Sequence, residues 1–472
     1  MANFHSALEV LTWLRSISPA QKKSEEPMRV DLDLTVLGIC TGTGLTHLSC
    51  ALVRFSQKSP SALLRVQLEK FDQIPVPFSV RDPIINYLRL GPRAAKTASC
   101  IDDLFGHLFS SGVKTFCRRH TLDITCFDLV GTHTEALKLL HRQTNPDGAR
   151  EHQINWNRIV TAETGISTVF DFSILEPTIV RSHIHPIAYV DRILLQHPHK
   201  FRVCLNIDEL STLSFIPAHS HDGARGTISR SCGPGSLLID YAMRYCTSND
   251  QSEDRDGNLA SLGKVNQGIV DSFLSTRDYL RQSPPLSIAT EMFGDHEAQQ
   301  LIDTCLYSNM SDQDTLATIT RVTAQNILNQ YHRLLKIFFP AGQKVDELFI
   351  CGPGARNSSI IDYLEAELPE SVITKPLHDV GIPGDAHEPV CYAQLALEAV
   401  LSHSTRPTYM PLPPSSQHPP VDTVKASVVP GRRWNELLSR VLEYSGGERI
   451  HTLKKVHVTG SLEAGFQDIN LG

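Results

Sequence analysis

The chain has 472 residues, about three times a typical ~150-residue domain, so two or three lobes are expected rather than one core. Forty-four Lys plus Arg against 51 Asp plus Glu give a formal charge of -7, and the 41% hydrophobic, 20% charged composition is that of an ordinary globular protein. No basic excess or Arg/Lys cluster is available to displace counterions from phosphates, which excludes a dedicated nucleic-acid binder; no apolar run approaches the ~18 residues of a membrane span. The eleven cysteines are odd in number and never stand at C-x-x-C spacing, so reduced, mostly buried thiols of a cytoplasmic protein are expected rather than a disulfide framework or a zinc ribbon. The N-terminal apolar stretch is interrupted by Glu9 and lacks a basic leader, unlike a secretory signal.

In chain order, residues 1–29 read as a short amphipathic helix and a polar linker outside the core. A β-rich run at 34–39, the small-residue turn Thr41-Gly42-Thr43-Gly44 and a second run at 48–55 predict strand, turn, strand. Helical spacing dominates 80–120, through Ile101, Leu104, Leu108 and Val113. Strands follow at 128–131 and 168–172, a helix at 189–196 and a strand at 201–207. The longest predicted helix runs over 312–338, where Leu316, Ile319, Val322, Ile327, Tyr331, Leu334 and Phe338 form one stripe behind a Ser311 cap. Leu348-Phe349-Ile350 then leads into a glycine turn and a helix from Asn357, and the Pro, Ser and His-rich segment after 402 reads as a connector before a tail. Two successive blocks of strands and helices predict an α/β architecture of two lobes around a cleft: lobe I at 30–155, lobe II at 156–403, and a connector and tail at 404–472.

Three turns could hold an anion on backbone N–H groups: Thr41-Gly42-Thr43-Gly44, Cys232-Gly233-Pro234-Gly235 and Cys351-Gly352-Pro353-Gly354. Glycine permits the close approach, and a following helix adds its positive end. Each turn taken alone more often just closes a strand-to-helix connection, and none is a Walker A or dinucleotide fingerprint. Asp171, ending the run Thr168-Val169-Phe170, could deprotonate water or a hydroxyl for phosphoryl transfer, or simply cap a turn. Asp385 and Glu388 stand at capping-box spacing, with Glu388 also suited to a sugar hydroxyl; His133, after Val130-Gly131-Thr132, is a ligand-binding or a structural histidine.

Together these blocks resemble the anhydro-N-acetylmuramic acid kinase family, particularly its fungal members, from about residue 35 to 442. The resemblance is carried by Leu37-Gly38-Ile39-Cys40-Thr41-Gly42-Thr43, by Thr164-Gly165-Ile166-Ser167-Thr168-Val169-Phe170-Asp171-Phe172, by Cys232-Gly233-Pro234-Gly235 with Leu238-Ile239-Asp240, by Cys351-Gly352-Pro353-Gly354-Ala355-Arg356-Asn357, and by Gly381-Ile382-Pro383-Gly384-Asp385-Ala386-His387-Glu388. It implies an actin-like, duplicated α/β sugar-kinase fold closing on ATP and Mg²⁺, with a small sugar as partner and a homodimer as an allowed assembly. Family members open a 1,6-anhydro ring with water and phosphorylate O6. By position, Asp171 would be the general base and Glu388 would touch the sugar with His133 nearby. Gly42, Thr43, Gly233 and Gly235 would hold phosphates, and Gly352 and Gly354 would flank the nucleoside.

The departures concentrate in the site. The opening S-G-T-S-x-D-G-x-D becomes Thr41-Gly42-Thr43-Gly44-Leu45-Thr46-His47-Leu48-Ser49, without either aspartate that would serve Mg²⁺. D-x-G-P-G-N loses its carboxylate at Ser231, the flexible A-A-G-x-Q-G-A-P loop becomes the bulky 178–185 segment, and N-I-G-G-I-A-N becomes Asn206-Ile207-Asp208-Glu209-Leu210-Ser211-Thr212. Three functions therefore compete: an ATP-dependent sugar or anhydrosugar kinase, a catalytically impaired relative that binds a metabolite or a partner, and an enzyme recruited to a specialised pathway with another acceptor.

Overall fold

The computed structural model describes residues 30–42, 44–90, 98–134, 146–175, 185–218, 227–279, 296–404, 423–446 and 456–459. The expected N-terminal helix and most of the Pro-rich connector lie outside them, as does Thr43.

Two sheets repeat one strand order. In the first, β1 (Leu32–Thr41), β2 (His47–Gln57) and β3 (Leu64–Pro75) form an antiparallel meander, and β4 (Leu129–Thr134) and β5 (Ser167–Leu175) extend it in parallel on the other side of β1. In the second, β6 (Arg202–Ile207), β7 (Leu210–Ile216) and β8 (Ile228–Pro234) form the meander, and β9 (Glu347–Cys351) and β10 (Ile373–Pro376) extend it in parallel beside β6. This is the duplicated, two-lobed actin-like arrangement that the resemblance implies. Two late strands widen the first sheet to seven: β11 (Thr423–Val429) lies antiparallel to β5 and β12 (Val456–Val458) parallel to β3.

The helices, in chain order, are α1 (Phe78–Leu90), α2 (Ala98–Arg119), α3 (Pro146–Thr164), α4 (Pro186–Leu195), α5 (Leu237–Cys246), α6 (Gln267–Ser275), α7 (His296–Tyr307), α8 (Asp312–Phe338), α9 (Ser358–Glu367), α10 (His387–Ser404) and α11 (Trp434–Ser445). Period-two alternation assigns the faces of the sheets. Leu37 and Ile39 of β1 join Phe105, Phe109 and Trp156 of α2 and α3 on one side, whereas Val36 and Cys40 face the core containing α10 on the other. In the second sheet Val203, Leu205 and Ile207 meet the stripe Leu316, Ile319, Val322 of α8, and Cys204 points to the core shared with α10. One apolar core thus lies against both sheets.

Helix α10 is seated by missing side chains. Gly131, Gly38 and Ala51 lie abreast on β4, β1 and β2. A Cβ on Gly38 would fall 1.8 Å from the Pro389 carbonyl oxygen, and one on Gly131 would fall 2.5 Å from that of Tyr392.

The expected helix over 312–338 is present with its Ser311 cap, whose hydroxyl accepts the Asp314 N–H at 3.1 Å. Six strands were not read from the sequence: β3, β7, β8, β10, β11 and β12. The sheets also divide the chain elsewhere than at residue 155. β5 completes the first sheet, and the segment assigned to a tail supplies β11, α11 and β12 to it. Asp385 takes the Arg356 guanidinium.

A buried ion network ties the parallel strands of the second sheet. Arg202 Nε donates to Glu347 Oε2 at 2.7 Å, and Lys200 and Lys375 both donate to Oε1, at 2.6 and 2.8 Å. Burial pushes the Glu347 carboxyl up, but Lys200, Lys375 and Arg202 outweigh it and hold the group down at about 2. A depressed carboxylate contributes stability above the unfolded value of 4.5 and loses it as pH falls through about 2. Glu347→Gln is therefore expected to cost about 2 kcal/mol at pH 7, with the gap to the parent closing on acidification. Urea unfolding at several pH values checks it; a pH-independent gap would contradict it.

Candidate active site

The carboxyl ends of the parallel strands β1, β4, β6 and β9 come together, the usual ligand position in such sheets, with glycine turns following β1 and β9 and a third closing β8. The turns converge on the β6–β7 hairpin, Asn206 to Leu210. A Cβ on Gly352, whose φ is +83°, would sit 2.5 Å from Asn206 Oδ1, and one on Gly354 would sit 2.3 Å from Ile207 Cγ2. A Cβ on Gly235 would meet the Asp208 carbonyl at 2.1 Å. Positions 42 and 44 close the ring from the first sheet: a Cβ on Gly42 would lie 3.1 Å from Glu209 Oε2 and 3.6 Å from Asp208 Oδ2, and one on Gly44 2.3 Å from Glu209 Oε1.

Several amides that could receive phosphate already have acceptors. Gly44 N–H donates to Glu209 Oε2 at 2.7 Å, across 165 residues of sequence. Gly235 N–H donates to the Glu209 carbonyl and Ser236 N–H to that of Asp208, both at 2.8 Å, and Gly352 N–H donates to the Gly384 carbonyl at 3.2 Å. Gly233, at φ +102°, packs on the Tyr279 ring, where a Cβ would come within 2.7 Å. Its left-handed backbone and that close ring both require glycine.

Beside the hairpin and the Gly352 turn lies a small cleft whose walls include His47, Ser49, Asn206, Asp208, Gly352 and Glu388. Asn206 Nδ2 donates to Glu388 Oε1 at 2.9 Å, which fixes the carboxylate at the head of α10. The cleft is crowded with acid. Burial, then the charges of Glu388 and Glu209, push the Asp208 carboxyl well above the usual carboxylate range. Asp240, behind the same hairpin, is pushed to about 7 chiefly by burial, against the lowering effect of the Ser236 hydroxyl that donates to it. His47 is held below the usual imidazole value by burial.

Asp171 and His133 are not among the residues lining this cleft. Asp171 sits in β5 at φ +57°, half-buried, where the pairing with β11 slips: Ser173 faces Lys425 but Phe170 faces Ser427. A bulge of this kind re-aims a side chain and is common beside active sites. His133 is buried in β4 and stacks on Tyr392 of α10, centroids 4.2 Å apart and planes 14° apart. Thus Gly42, Gly235, Gly352, Gly354 and Glu388 gather round one hairpin, whereas Asp171 and His133 belong to the neighbouring strands of the first sheet.

Sequence reasoning missed Asn206, Asp208, Glu209 and Asp240 as a group. The signal was present in the replacement of G-G by Asp208-Glu209, which reads as a loss of glycine until the fold shows where the gained carboxylates point.

The family model described as anhydro-N-acetylmuramic acid kinase matches residues 34–407. Curated relatives carrying that name include proteins of Caldanaerobacter subterraneus, 25% identical over 77% of this chain and 90% of the relative; Picosynechococcus, 26% over 77% and 92%; and Bacillus cereus, 25% over 80% and 94%. Among solved structures, a ROK family glucokinase from Streptomyces griseus in complex with glucose and AMPPNP overlaps 77% of this chain and 99% of its own at 12% identity and a TM-score of 0.34. The match over residues 34–407, together with coverage of 90% of the Caldanaerobacter relative, shows that the chain belongs to the anhydro-N-acetylmuramic acid kinase family.

Proposed function

We propose that the protein is an ATP-dependent carbohydrate kinase that phosphorylates a sugar, with a 1,6-anhydrosugar opened by water as its substrate class. The observation that supports this most directly is Glu388, held by Asn206 at the head of α10 in the cleft beside the hairpin on which the glycine turns converge. In this reading Glu388 holds a sugar hydroxyl. Asp171, aimed by its bulge, takes the proton of the attacking water. Gly352 and Gly354 flank the nucleoside, and the turns at Gly42, Thr43, Gly233 and Gly235 face the phosphates.

The donor chemistry fits Mg²⁺. Asp208 and Glu209 both flank Gly42, and Asp208 shares the cleft with Glu388, an oxygen set of the hard kind this cation takes, on different residues from the two missing aspartates. Bound there, Mg²⁺ would neutralise charge on the transferred phosphoryl group. The test is ADP release from Mg²⁺-ATP with a panel of 1,6-anhydrosugars and their open-chain counterparts. Sugar-dependent release is expected; none with any member would overturn the reading.

The Glu209 carboxylate on the Gly44 amide favours a second reading, a cleft that shields its first turn from phosphate and binds without transfer. Glu209→Ala is then expected to tighten ATP binding about tenfold, since it frees an amide and removes a like charge. Calorimetry on parent and variant decides: unchanged affinity would exclude the carboxylate as a barrier.

A further inference from the structure

Under the cleft floor lies a group of side chains that the kinase reading leaves without a task. Cys204 on β6, Cys351 at the end of β9, His387 and Cys391 on the first turns of α10, and Asp191 on α4 are all at most 3% exposed. Cys204 Sγ and Cys351 Sγ stand 3.8 Å apart, and Cys351 Sγ stands 3.6 Å from His387 Nδ1. On its far side the imidazole meets Asp191, Nε2 to Oδ1, at 2.6 Å. The donor atoms of Cys204, Cys351 and His387 all lie within 4.8 Å of one another, as do those of Asp191, His387 and Cys391.

These separations match a tetrahedral zinc site. With Zn–S near 2.3 Å and Zn–N near 2.0–2.1 Å, neighbouring donors stand about 3.8 Å apart for S···S and about 3.5 Å for S···N. The carboxylate behind the histidine is the usual partner that fixes the ring of a metal ligand and its tautomer. Ligands drawn from two strands and a helix also explain why no sequence spacing announced them.

We propose that Cys204, Cys351 and His387 Nδ1 bind a zinc ion, with Asp191 orienting the imidazole and Cys391 beside it as the further thiol. Binding replaces the two thiol protons, and any proton on Nδ1, which leave to solvent; no electron is transferred. Zinc is favoured over Cu⁺ by charge. With both thiolates and Asp191 counted, Zn²⁺ leaves the buried group at -1 and Cu⁺ leaves it at -2, and burial penalises the larger charge. The ion would pin α10 to the seam between β6 and β9. Asn206 lies against this group, its Oδ1 3.7 Å from Cys351 Sγ, while its amide nitrogen holds Glu388. The inference does not depend on the kinase reading.

The test uses the full chain. Elemental analysis after purification should find about one zinc per chain. Cobalt titration of protein stripped by a chelator should give thiolate-to-cobalt charge-transfer absorption, abolished by one equivalent of zinc. Asp191→Asn should weaken zinc binding 10- to 100-fold and keep that absorption, a pattern that mere packing would not produce. The double variant Cys204→Ser/Cys351→Ser should lose it. The cobalt titration needs no variant, so a misfolded mutant does not decide the matter. No metal and no absorption in the natively folded parent would overturn the proposal. So would zinc retained by a folded double variant, and so would Cu⁺ held in preference to zinc.

Discussion

Asp171→Asn is expected to lower sugar-dependent ADP release at least ~100-fold, the scale on which a positioned general base contributes. The substitution is chosen for its backbone. At φ +57° most side chains are strained, but Asn tolerates the left-handed region as Asp does, so β5 and its bulge against β11 should survive. What the amide cannot do is accept the proton of an attacking water. ATP affinity should stay within a few-fold of the parent, because the proposed role lies in the chemical step, and slow sugar-independent ATP hydrolysis should be unchanged. Stopped assays at saturating sugar separate these quantities. Turnover within threefold of the parent would remove Asp171 from the reaction and shift attention to the carboxylates around the β6–β7 hairpin.

Gly38→Ala should destabilise the fold by about 3 kcal/mol or more, the upper range for overpacking a close-packed interior. The added methyl group would lie 1.8 Å from a backbone carbonyl, that of Pro389, and also 3.0 Å from the Ala393 nitrogen, so no rotamer change can relieve it. Either α10 lifts from β1 or the strand bends. Gly42→Ala is the useful contrast. Its nearest neighbour is the Glu209 side chain at 3.1 Å, which can move, so little stability should be lost. Urea unfolding of both variants, read as midpoints at a common slope, tests the pair. Because Glu388 adjoins Pro389, Gly38→Ala should also blunt any sugar dependence, although residue 38 lies outside the residues that line the cleft.

Helix α8 was legible in the sequence because 27 residues repeat one stripe and its cap lies three positions from its partner. Strands β1 and β9 were legible because their apolar runs end at glycine turns, and β2 because its apolar run follows one. β3 was not, since Glu69, Lys70, Asp72 and Gln73 interrupt its alternation of apolar and polar residues. β7 was hidden for a different reason: the Asp208-Glu209 link carries none of the glycine or asparagine signals of a tight hairpin. Family resemblance located the glycine turns and Glu388, because those are local strings. It could not show that Glu209 reaches Gly44, or that Cys204, Cys351 and His387 meet, because those contacts are set by sheet topology rather than by spacing.

The strand that carries Asp171 has a late partner. β11 begins at Thr423, beyond the residues that match the family model, and its slipped register frames the bulge. The C-terminal stretch thus acts as a splint for the strand that carries Asp171. A truncation before Thr423 would keep in the chain every residue that lines the cleft while unclasping β5, and in the reading proposed above it would silence transfer by loosening one backbone turn.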